Sequence, residues 1–216
     1  MRSARSGAVR FPFALALVFA LGATPAVAMK GPKISVADDP SQKEGTPSLV
    51  LVEVSDFQCP YCGEGAREVL PKVVERYVHT GKVELIFLDL PLTMHSNAMK
   101  AAEAAACAGE QGKFWPMHDL LFANQHALAP DRLPGYAEKA GLDAAAFQKC
   151  LSSGHTAGGI REDARVAQSL DIQGTPAFLV ARRIPGGDKV EVLDTLHGLP
   201  TYEELAAKLD SFLAAK

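Results

Sequence analysis

The segment LVLVEVSDFQCPYC, residues 49–62, decides the fold of this 216-residue chain. Its first half is an apolar run from Leu49 to Val54 that only Glu53 interrupts. Such a run predicts a central β-strand covered on both faces. The second half places Cys59 and Cys62 at the start of a helical pattern, so the two cysteines lie where a strand passes into a helix.

This position predicts different roles for the two cysteines. A cysteine in the first turn of a helix faces unpaired backbone N–H groups and the positive end of the helix dipole, which lower the pKa of its thiol. We therefore expect Cys59 to be the attacking sulfur and Cys62, one turn inward, to be the resolving sulfur. Pro60 suits this turn because its missing N–H would have no partner there.

A close cysteine pair has other interpretations. A zinc site needs about four ligands, whereas this sequence has no second C-x-x-C and no histidine pair at metal spacing. We therefore predict no metal site. An inert structural disulfide is the second alternative, and redox chemistry is the interpretation that we favour.

Two further features favour redox chemistry. Glu53 would be costly to bury on a central strand without a role, and beneath the cysteines it could accept and return the proton of Cys62. Its alternative is a strand edge facing water. Gly174-Thr175-Pro176 opens a later strand. A cis Pro176 would set the Thr175 backbone opposite the cysteines to pair with an extended substrate, whereas a plain turn is the alternative.

The remaining pattern predicts the order strand, helix, strand, about five short helices, two strands and a helix. This is the order of a mixed α/β sheet with helices on both faces, and residues 94–170 form an insertion between its halves. We expect an extended arm at 29–47, a kink or break of the first helix near Leu70 caused by Pro71, and helix starts at Asp131 and Asp143.

Residues 1–28 have a basic head, an apolar middle and the ending Ala26-Val27-Ala28, which is typical of a secretory signal peptide. A membrane anchor is the alternative, but the apolar run is short for a span. Cleavage removes three arginines and no acid, so the net charge falls from −3 to −6. We expect an exported, periplasmic protein with no membrane span after cleavage and no nucleic-acid partner.

Together these residues resemble the thioredoxin superfamily: FQCPYC follows an acid-bearing strand, and GTPAF follows more than 100 residues later. The segment NAMKAAEAAACAGEQGKFWPMHDLLF is similar to DsbA-like thiol:disulfide oxidoreductases, including the branch with BdbD and ScsC proteins. The resemblance covers roughly 48–215. It implies a thioredoxin-like domain at 48–216 with an inserted helical subdomain.

The resemblance also implies site residues. Cys59 and Cys62 match the nucleophile and the resolving cysteine, Glu53 the buried acid, and Thr175-Pro176 the cis-proline loop. From their position beside the nucleophile, Pro60 and Tyr61 are expected to contact substrate, and a tolerated exposed aromatic is the alternative for Tyr61. The redox-active disulfide itself would replace any cofactor. The implied partners are unfolded or partly folded cysteine-containing proteins and a membrane quinone-linked thiol oxidase, or a reductase if the protein is an isomerase.

The direction of the chemistry stays open in the sequence. Pro60-Tyr61 stands where the best-known DsbA enzymes have Pro-His, and Thr175 before the proline also occurs in isomerase or reductase relatives. The polar arm is too short for the oligomerisation segment of such isomerases. We favour an oxidase. A disulfide isomerase or reductase is the alternative, and a non-catalytic chaperone module of the same fold is a further one.

The second pair, Cys107 and Cys150, lies on apolar faces of the helical block. In an oxidising compartment we expect a structural disulfide between them. Two buried free thiols are an alternative, and an electron relay from Cys62 is another.

Overall fold

The computed structural model describes Met1 and residues 31–215. Within them one sheet has six strands: β1 (Lys33–Ser35), β2 (Ser41–Gln42), β3 (Leu49–Ser55), β4 (Val83–Asp89), β5 (Ala177–Arg183) and β6 (Lys189–His197). Their order is β1-β6-β5-β3-β4-β2, in which β3 and β4 are parallel and the other pairs antiparallel. The predicted mixed sheet is confirmed, and β3 is central in it.

The helices are α1 (Pro60–Glu64), α2 (Leu70–Val73), α3 (Ala98–Gly109), α4 (Phe114–Ala123), α5 (Leu133–Lys139), α6 (Ala144–Ser153), α7 (Ala157–Ser169) and α8 (Tyr202–Ala214). Two π-helical segments, Gly65–Val69 and Val74–Val78, flank α2, and a 3₁₀ turn covers Gln125–Ala127. Helices α3 to α7 lie between β4 and β5 in the chain, so they are the inserted helical block.

Every residue of β3 is buried, because helices cover both faces of the sheet. Val50, Val52 and Val54 pack in the cluster that includes residues of α7, on one face. Leu49 and Leu51 pack on the other face, in the cluster that includes residues of α2 and α8. Side chains alternate along a strand. The side chains of Glu53 and Ser55 therefore belong to the second face, the one that the first helix covers.

The chain stays helical through Pro71, so of the expected kink or break near Leu70 the break does not occur, and regular α-helical bonding is interrupted there instead. The N–H of Leu70 donates to the carbonyl of Gly65, five residues earlier, which is a π-helical bond. This wider turn ends directly before α2, whose first turn contains Pro71. A single π turn is a common way for a helix to accommodate an interruption in its regular bonding.

Part of the arm joins the sheet. Strand β1 pairs with β6, and β2 pairs with β4, so the arm covers both edges. Gly31 lies so close to β6 that a Cβ atom there would meet the carbonyl oxygen of Val192 at 1.7 Å.

The predicted signal peptide, apart from Met1, lies outside the described residues. Among those that are described, no helix has the length and apolar character needed to cross a bilayer.

Capping residues set several helix ends. Asp143 caps α6 by accepting the N–H of Ala146 at 2.7 Å, and Thr201 and Glu204 form a reciprocal capping box at α8. The helix expected to begin at Asp131 begins at Leu133 instead.

Candidate active site

Cys59 is the N-cap residue of α1, directly after β3 and a short loop. Its own N–H donates to the carbonyl of Asp56 at 3.0 Å, and its carbonyl accepts the N–H of Gly63 at 3.1 Å. Both Cys59 and Cys62 are free thiols in this structure. Cys59 is 4% exposed and Cys62 is fully buried, so the sulfur of Cys59 is the more accessible one.

The surroundings of Cys59 favour its thiolate. The pKa of Cys59 falls from 9.0 to about 5, first because the Cys62 thiol donates to it, and then through Thr175 and the backbone N–H groups of Cys62 and Tyr61. Burial opposes this shift without reversing it. In the thiol form, Cys59 Sγ donates to the carbonyl of Thr175 at 3.4 Å.

Cys62 has the opposite environment. Burial raises the pKa of the Cys62 thiol far above its ordinary value, and the neighbouring Cys59 raises it further. The hydroxyls of Ser55 and Thr175 act against these effects but are weaker. At neutral pH the reduced pair therefore holds one thiolate, on Cys59, and one thiol, on Cys62.

The loop before β5 faces Cys59. The Thr175-Pro176 peptide bond is cis. The Pro176 carbonyl accepts the N–H of Gly198 at 2.9 Å, which fixes this loop against the segment after β6. A surface depression of about 720 Å³ runs from that segment along α8, with His197, Leu199 and Pro200 in its wall. The Thr175-Pro176 loop thus lies beside Cys59, and the depression lies at the segment to which the Pro176 carbonyl is bonded.

Pro60 and Tyr61 follow Cys59 on the exposed side of α1. Pro60 is exposed, and the Tyr61 side chain is 64% exposed, one of the largest apolar surfaces that the described residues present to solvent. Both side chains are therefore available to a docking partner at the position of the nucleophile.

Glu53 is 1% exposed, and its register neighbours are Phe87 on β4 and Phe178 on β5. Burial raises its pKa, while His118 and Ser55 lower it to a smaller extent. Ser55, two residues on and on the same face, influences the pKa of both Glu53 and Cys62. Neither contact of Ser55 has the geometry of a full hydrogen bond. Ser55 is thus a polar group that acts on both Glu53 and Cys62.

Asp56 is a site residue that sequence reasoning missed. It is 1% exposed, and its carboxylate accepts the N–H of Gln58 at 2.7 Å and that of Leu92 at 2.8 Å. His95 Nδ1 lies 2.8 Å from the same carboxylate. Asp56 therefore ties the loop before Cys59 to the segment after β4. The acid was visible in the sequence, but nothing local indicated its partners 36 and 39 residues away.

Gln125 was also missed. Its Nε2 donates to the carbonyl of Cys59 at 2.7 Å and to that of Phe57 at 3.0 Å. A Cβ atom on Gly63 would meet Gln125 Oε1 at 1.9 Å, so a larger residue there would displace the Gln125 side chain from these contacts. The helical block thereby holds the start of the first helix.

The other two cysteines are bonded to each other. The Cys107–Cys150 disulfide joins α3 to α6, with 5.8 Å between the Cα atoms, and both residues are buried. Glu110 and His155 lie beside Cys150 and, with its sulfur, are the only group of three potential metal ligands among the described residues. The sulfur of Cys150 is already bonded to Cys107, so it is not available as a metal ligand in this state.

Comparison with known proteins identifies a family for this chain. A family model described as Thioredoxin matches residues 43–210. The Na(+)/H(+) antiporter NhaA 3 of Salinispora tropica is 43% identical over 147 residues, which are 67% of this chain and 22% of the antiporter. The chain thus spans about a fifth of that relative's length.

A second relative is the probable disulfide bond formation protein D of Bacillus anthracis. It is 29% identical over 152 residues, which cover 64% of this chain and 67% of that protein. Among solved structures, oxidised BdbD from Bacillus subtilis superimposes with a TM-score of 0.73 at 20% identity, over 86% of this chain and 98% of BdbD. At that identity the likeness shows a shared fold.

Proposed function

Because this chain belongs to the thioredoxin family, we propose that it is a DsbA-like thiol:disulfide oxidoreductase that introduces disulfides into folding proteins. One observation carries the proposal. The two sulfurs at the start of α1 are electrostatically different, since Cys59 is stabilised as a thiolate and Cys62 is kept as a thiol. A disulfide with a stable, accessible leaving thiolate and a buried partner is suited to exchange.

In the proposed reaction the oxidised Cys59–Cys62 disulfide is attacked at Cys59 Sγ by a substrate thiolate. The Cys59–Cys62 bond breaks, Cys62 leaves as a thiolate and takes up a proton, and a mixed disulfide joins Cys59 to the substrate. A second substrate thiolate then attacks the substrate sulfur of this bond and releases Cys59 as a thiolate. The substrate loses two electrons, and the enzyme gains them.

The low pKa of Cys59 favours the oxidising direction. A thiolate that is stable in the reduced protein makes reduction of the disulfide more favourable, which is why strongly oxidising members of this superfamily have low-pKa cysteines. We therefore propose an oxidase in preference to an isomerase or reductase. The Cys59–Cys62 disulfide would serve as the redox group without an added cofactor.

The substrate would lie along the surface that begins at Cys59. An extended peptide would pair with the backbone of Thr175 beside cis Pro176, while Pro60 and Tyr61 would contact it on the other side of the sulfur. Glu53 would exchange a proton with Cys62 through Ser55. The partners of this surface would be unfolded or partly folded cysteine-containing proteins.

We further propose export to the periplasm through the signal peptide at 1–28, and reoxidation of the pair by a membrane quinone-linked thiol oxidase. In that compartment the Cys107–Cys150 disulfide would be a structural link within the helical block. Mass spectrometry of the purified periplasmic protein would test export, with a mature chain beginning at Met29 as the expected result.

A redox titration tests the direction of the chemistry. The protein is equilibrated with glutathione buffers, and the reduced fraction is measured by thiol alkylation. We expect a reduction potential well above roughly −270 mV, the value typical of a thioredoxin. A value at or below that would exclude the oxidase, and an inert disulfide at all ratios would favour the chaperone module. A Cys107→Ser/Cys150→Ser variant is the control that assigns the titration to Cys59 and Cys62.

A further inference from the structure

The Cys107–Cys150 disulfide lies next to the side chains of Glu110 and His155. Glu110 directly follows α3, which carries Cys107, and His155 lies in the turn between α6, which carries Cys150, and α7. The potential ligand atoms of Glu110, Cys150 and His155 all lie within 4.8 Å of one another. This cluster has no part in the exchange that is proposed at Cys59.

Hydrogen bonds fix which ring nitrogen of His155 faces the cluster. Ser153 Oγ lies 2.6 Å from the Cys150 carbonyl oxygen and 2.6 Å from His155 Nδ1. A carbonyl can only accept, so the Ser153 hydroxyl donates to it and accepts the N–H at Nδ1. Nε2 is then the nitrogen that faces Glu110 Oε1, at 2.5 Å, and Cys150 Sγ, at 4.0 Å.

The contact between His155 Nε2 and Glu110 joins two groups that would otherwise both be acceptors. With the ring proton on Nδ1, a second proton or a cation has to lie between Nε2 and the carboxylate. While the disulfide is intact, a proton fills this place and the two residues form an ion pair. A metal-binding histidine usually donates its other ring N–H to a fixed acceptor, and Ser153 Oγ is such an acceptor here.

The disulfide keeps two further donors from a cation at this place. Cysteines are synthesised as thiols, so every chain passes through a state in which the sulfurs of Cys107 and Cys150 are both free. The cluster then offers two sulfurs, one imidazole nitrogen and one carboxylate oxygen, which is a donor set for tetrahedral zinc. Thiolate and imidazole ligands also select Zn²⁺ against Mg²⁺ and Ca²⁺.

The separations within the cluster suit an ion of this size. A tetrahedral zinc ion with bonds of about 2.0–2.3 Å holds its donors about 3.3–3.8 Å apart. The ligand atoms of Glu110, Cys150 and His155 are 2.5 to at most 4.8 Å apart, so shifts of about 1 Å bring them into this range. Cys107 is bonded to Cys150 and is therefore the neighbouring fourth donor once that bond is absent.

A surface depression of about 810 Å³ gives a cation access to the cluster. Glu110 and His155 lie in its wall, and about half of each side chain is exposed, 49% and 52%. Asp38 is a further charged residue of the wall, and no lysine or arginine is among the described residues that line it. The charges around the depression therefore favour a cation.

We propose that Cys107, Cys150, His155 and Glu110 bind one Zn²⁺ ion before the Cys107–Cys150 disulfide forms, and that this ion joins α3 to α6 in place of the disulfide. Binding displaces one proton from each thiol and one from His155 Nε2, so three protons leave. When the disulfide of an exchange partner later oxidises the two thiolates, they give up two electrons. The partner becomes two thiols with two protons from solvent, Zn²⁺ is released, and Nε2 regains its proton.

Zinc uptake by the reduced chain tests the site. The variant Cys59→Ser/Cys62→Ser is used, so that zinc cannot bind at the active-site pair instead. It is reduced with dithiothreitol in urea and refolded without oxygen or free thiol, with and without Zn²⁺. We expect one zinc ion per chain in the reduced protein and none in the oxidised protein, measured by elemental analysis after gel filtration. With Co²⁺ as the probe, charge-transfer absorption should report thiolate ligands.

Substitutions in the cluster make the test specific. His155→Gln should weaken zinc binding by the reduced protein at least about a hundredfold, because loss of a partner behind a ligand already costs about tenfold to hundredfold. Ser153→Ala, which removes that partner, should weaken it about tenfold. His79→Gln is the matched control, since His79 pairs with Glu75 on the surface, and it should leave the affinity unchanged.

Zinc should also raise the melting temperature of the reduced protein and leave that of the oxidised protein unchanged. A reduced chain that refolds without taking up zinc, or that fails to refold with it, would overturn the site. Equal zinc binding by the oxidised protein, or an affinity that His155→Gln does not change, would do the same. The exchange at Cys59 is tested separately, by the redox titration, so its failure is distinct from each of these results.

Discussion

Two glutamates are buried on the two parallel strands at the centre of the sheet, and they have opposite surroundings. Glu53 on β3 and Glu84 on β4 are each 1% exposed. Glu84 accepts from Lys43 Nζ at 3.0 Å and from Arg183 Nε and Nη2 at 2.8 Å. Glu53 Oε2 has no hydrogen-bond partner, and no lysine or arginine of the described residues forms an ion pair with Glu53. Both acids are buried, and only one is paired.

The comparison teaches that burial of an acid does not by itself indicate a role in chemistry. Glu84 is the second residue of β4, at the end of the sheet away from the cysteines, and two cations bond to its carboxylate and fix its position. Glu53 lies near the end of β3 that leads to Cys59, and the absence of an ion pair leaves its proton free to exchange. We expect the first to contribute to stability and the second to the reaction.

Glu84→Ala is the substitution with the largest expected effect on stability. It leaves Arg183 and Lys43 without their shared partner, and removal of one member of a buried ion pair costs about 3 kcal/mol when its partners retain some solvent contact. For a chain of this size the melting temperature should fall by about 6–12 °C. Urea unfolding and calorimetry measure both quantities, and the rate of reduction by dithiothreitol should stay within about twofold of wild type.

A triple variant sharpens this prediction. Replacing Lys43, Glu84 and Arg183 together by Met, Leu and Met removes all three charges and should restore most of the lost free energy of unfolding. If Glu84→Ala unfolds with wild-type stability, the ion pairs of Glu84 with Lys43 and Arg183 contribute nothing to the free energy of unfolding. The contrast with Glu53 is then lost.

Arg183→Met is expected to cause the second largest loss in the free energy of unfolding. It removes the cation with the larger contact to Glu84, since only 24% of its side chain is exposed, but it leaves Lys43 in place. The loss should be about 2 kcal/mol, because the remaining charge is still partly compensated. Urea unfolding should rank it between Glu84→Ala and wild type, and an equal loss for both variants would show that Lys43 adds nothing.

Glu53→Gln should stabilise the protein, in contrast to the three substitutions in the Glu84 ion pairs. Burial raises the pKa of Glu53, so between its unfolded and folded pKa values the native state binds the extra proton and wild-type stability falls as pH rises. The Gln variant does not titrate. Above about pH 4.5 and up to the folded pKa of Glu53, the free energy of unfolding of the variant should therefore exceed that of wild type. The difference should grow by about 1.4 kcal/mol for each pH unit. Urea unfolding at pH 5, 7 and 8 measures the difference.

Asp39 supplies the control for this pH dependence. Its pKa is raised to about 8, first by burial and then by Asp163, so it also destabilises the native state as pH rises. Glu53→Gln should leave that slope in place, whereas Asp39→Asn should remove it. A constant difference between Glu53→Gln and wild type across this range would contradict the assignment of a raised pKa to Glu53.

Local sequence patterns predicted much of the frame on which these residues lie. The apolar run of β3, the cap at Asp143 and the capping box at Thr201 are short-range signals, and each led to the right element. Pro71 did not end its helix, because that rule assumes regular α-helical bonds and a π turn replaces them. The polar arm gave no strand pattern, since β1 and β2 form only through pairing with β6 and β4.

The site was predicted where its residues are neighbours in sequence and missed where they are not. Cys59, Cys62 and Glu53 lie within ten residues of one another, so one strand-to-helix junction indicates all three. Gln125 contacts Cys59 across 66 residues, and Arg183 contacts Glu84 across 99. No periodicity or motif encodes such pairs. Only the packing of the helical block and the pairing of β5 beside β3 bring them together.

Lys43→Ala is expected to have the smallest effect and tests how the Glu84 network divides its energy. Lys43 bonds to Glu84 across 41 residues, but 42% of its side chain is exposed, so solvent already screens its charge. An exposed ion pair contributes about 0.5 kcal/mol. Urea unfolding at low and at high salt should show this loss shrinking as salt rises. A loss as large as that of Arg183→Met would mean that the arm itself, through Lys43, contributes as much as Arg183 to stabilising the buried Glu84 at the edge where β2 joins the sheet.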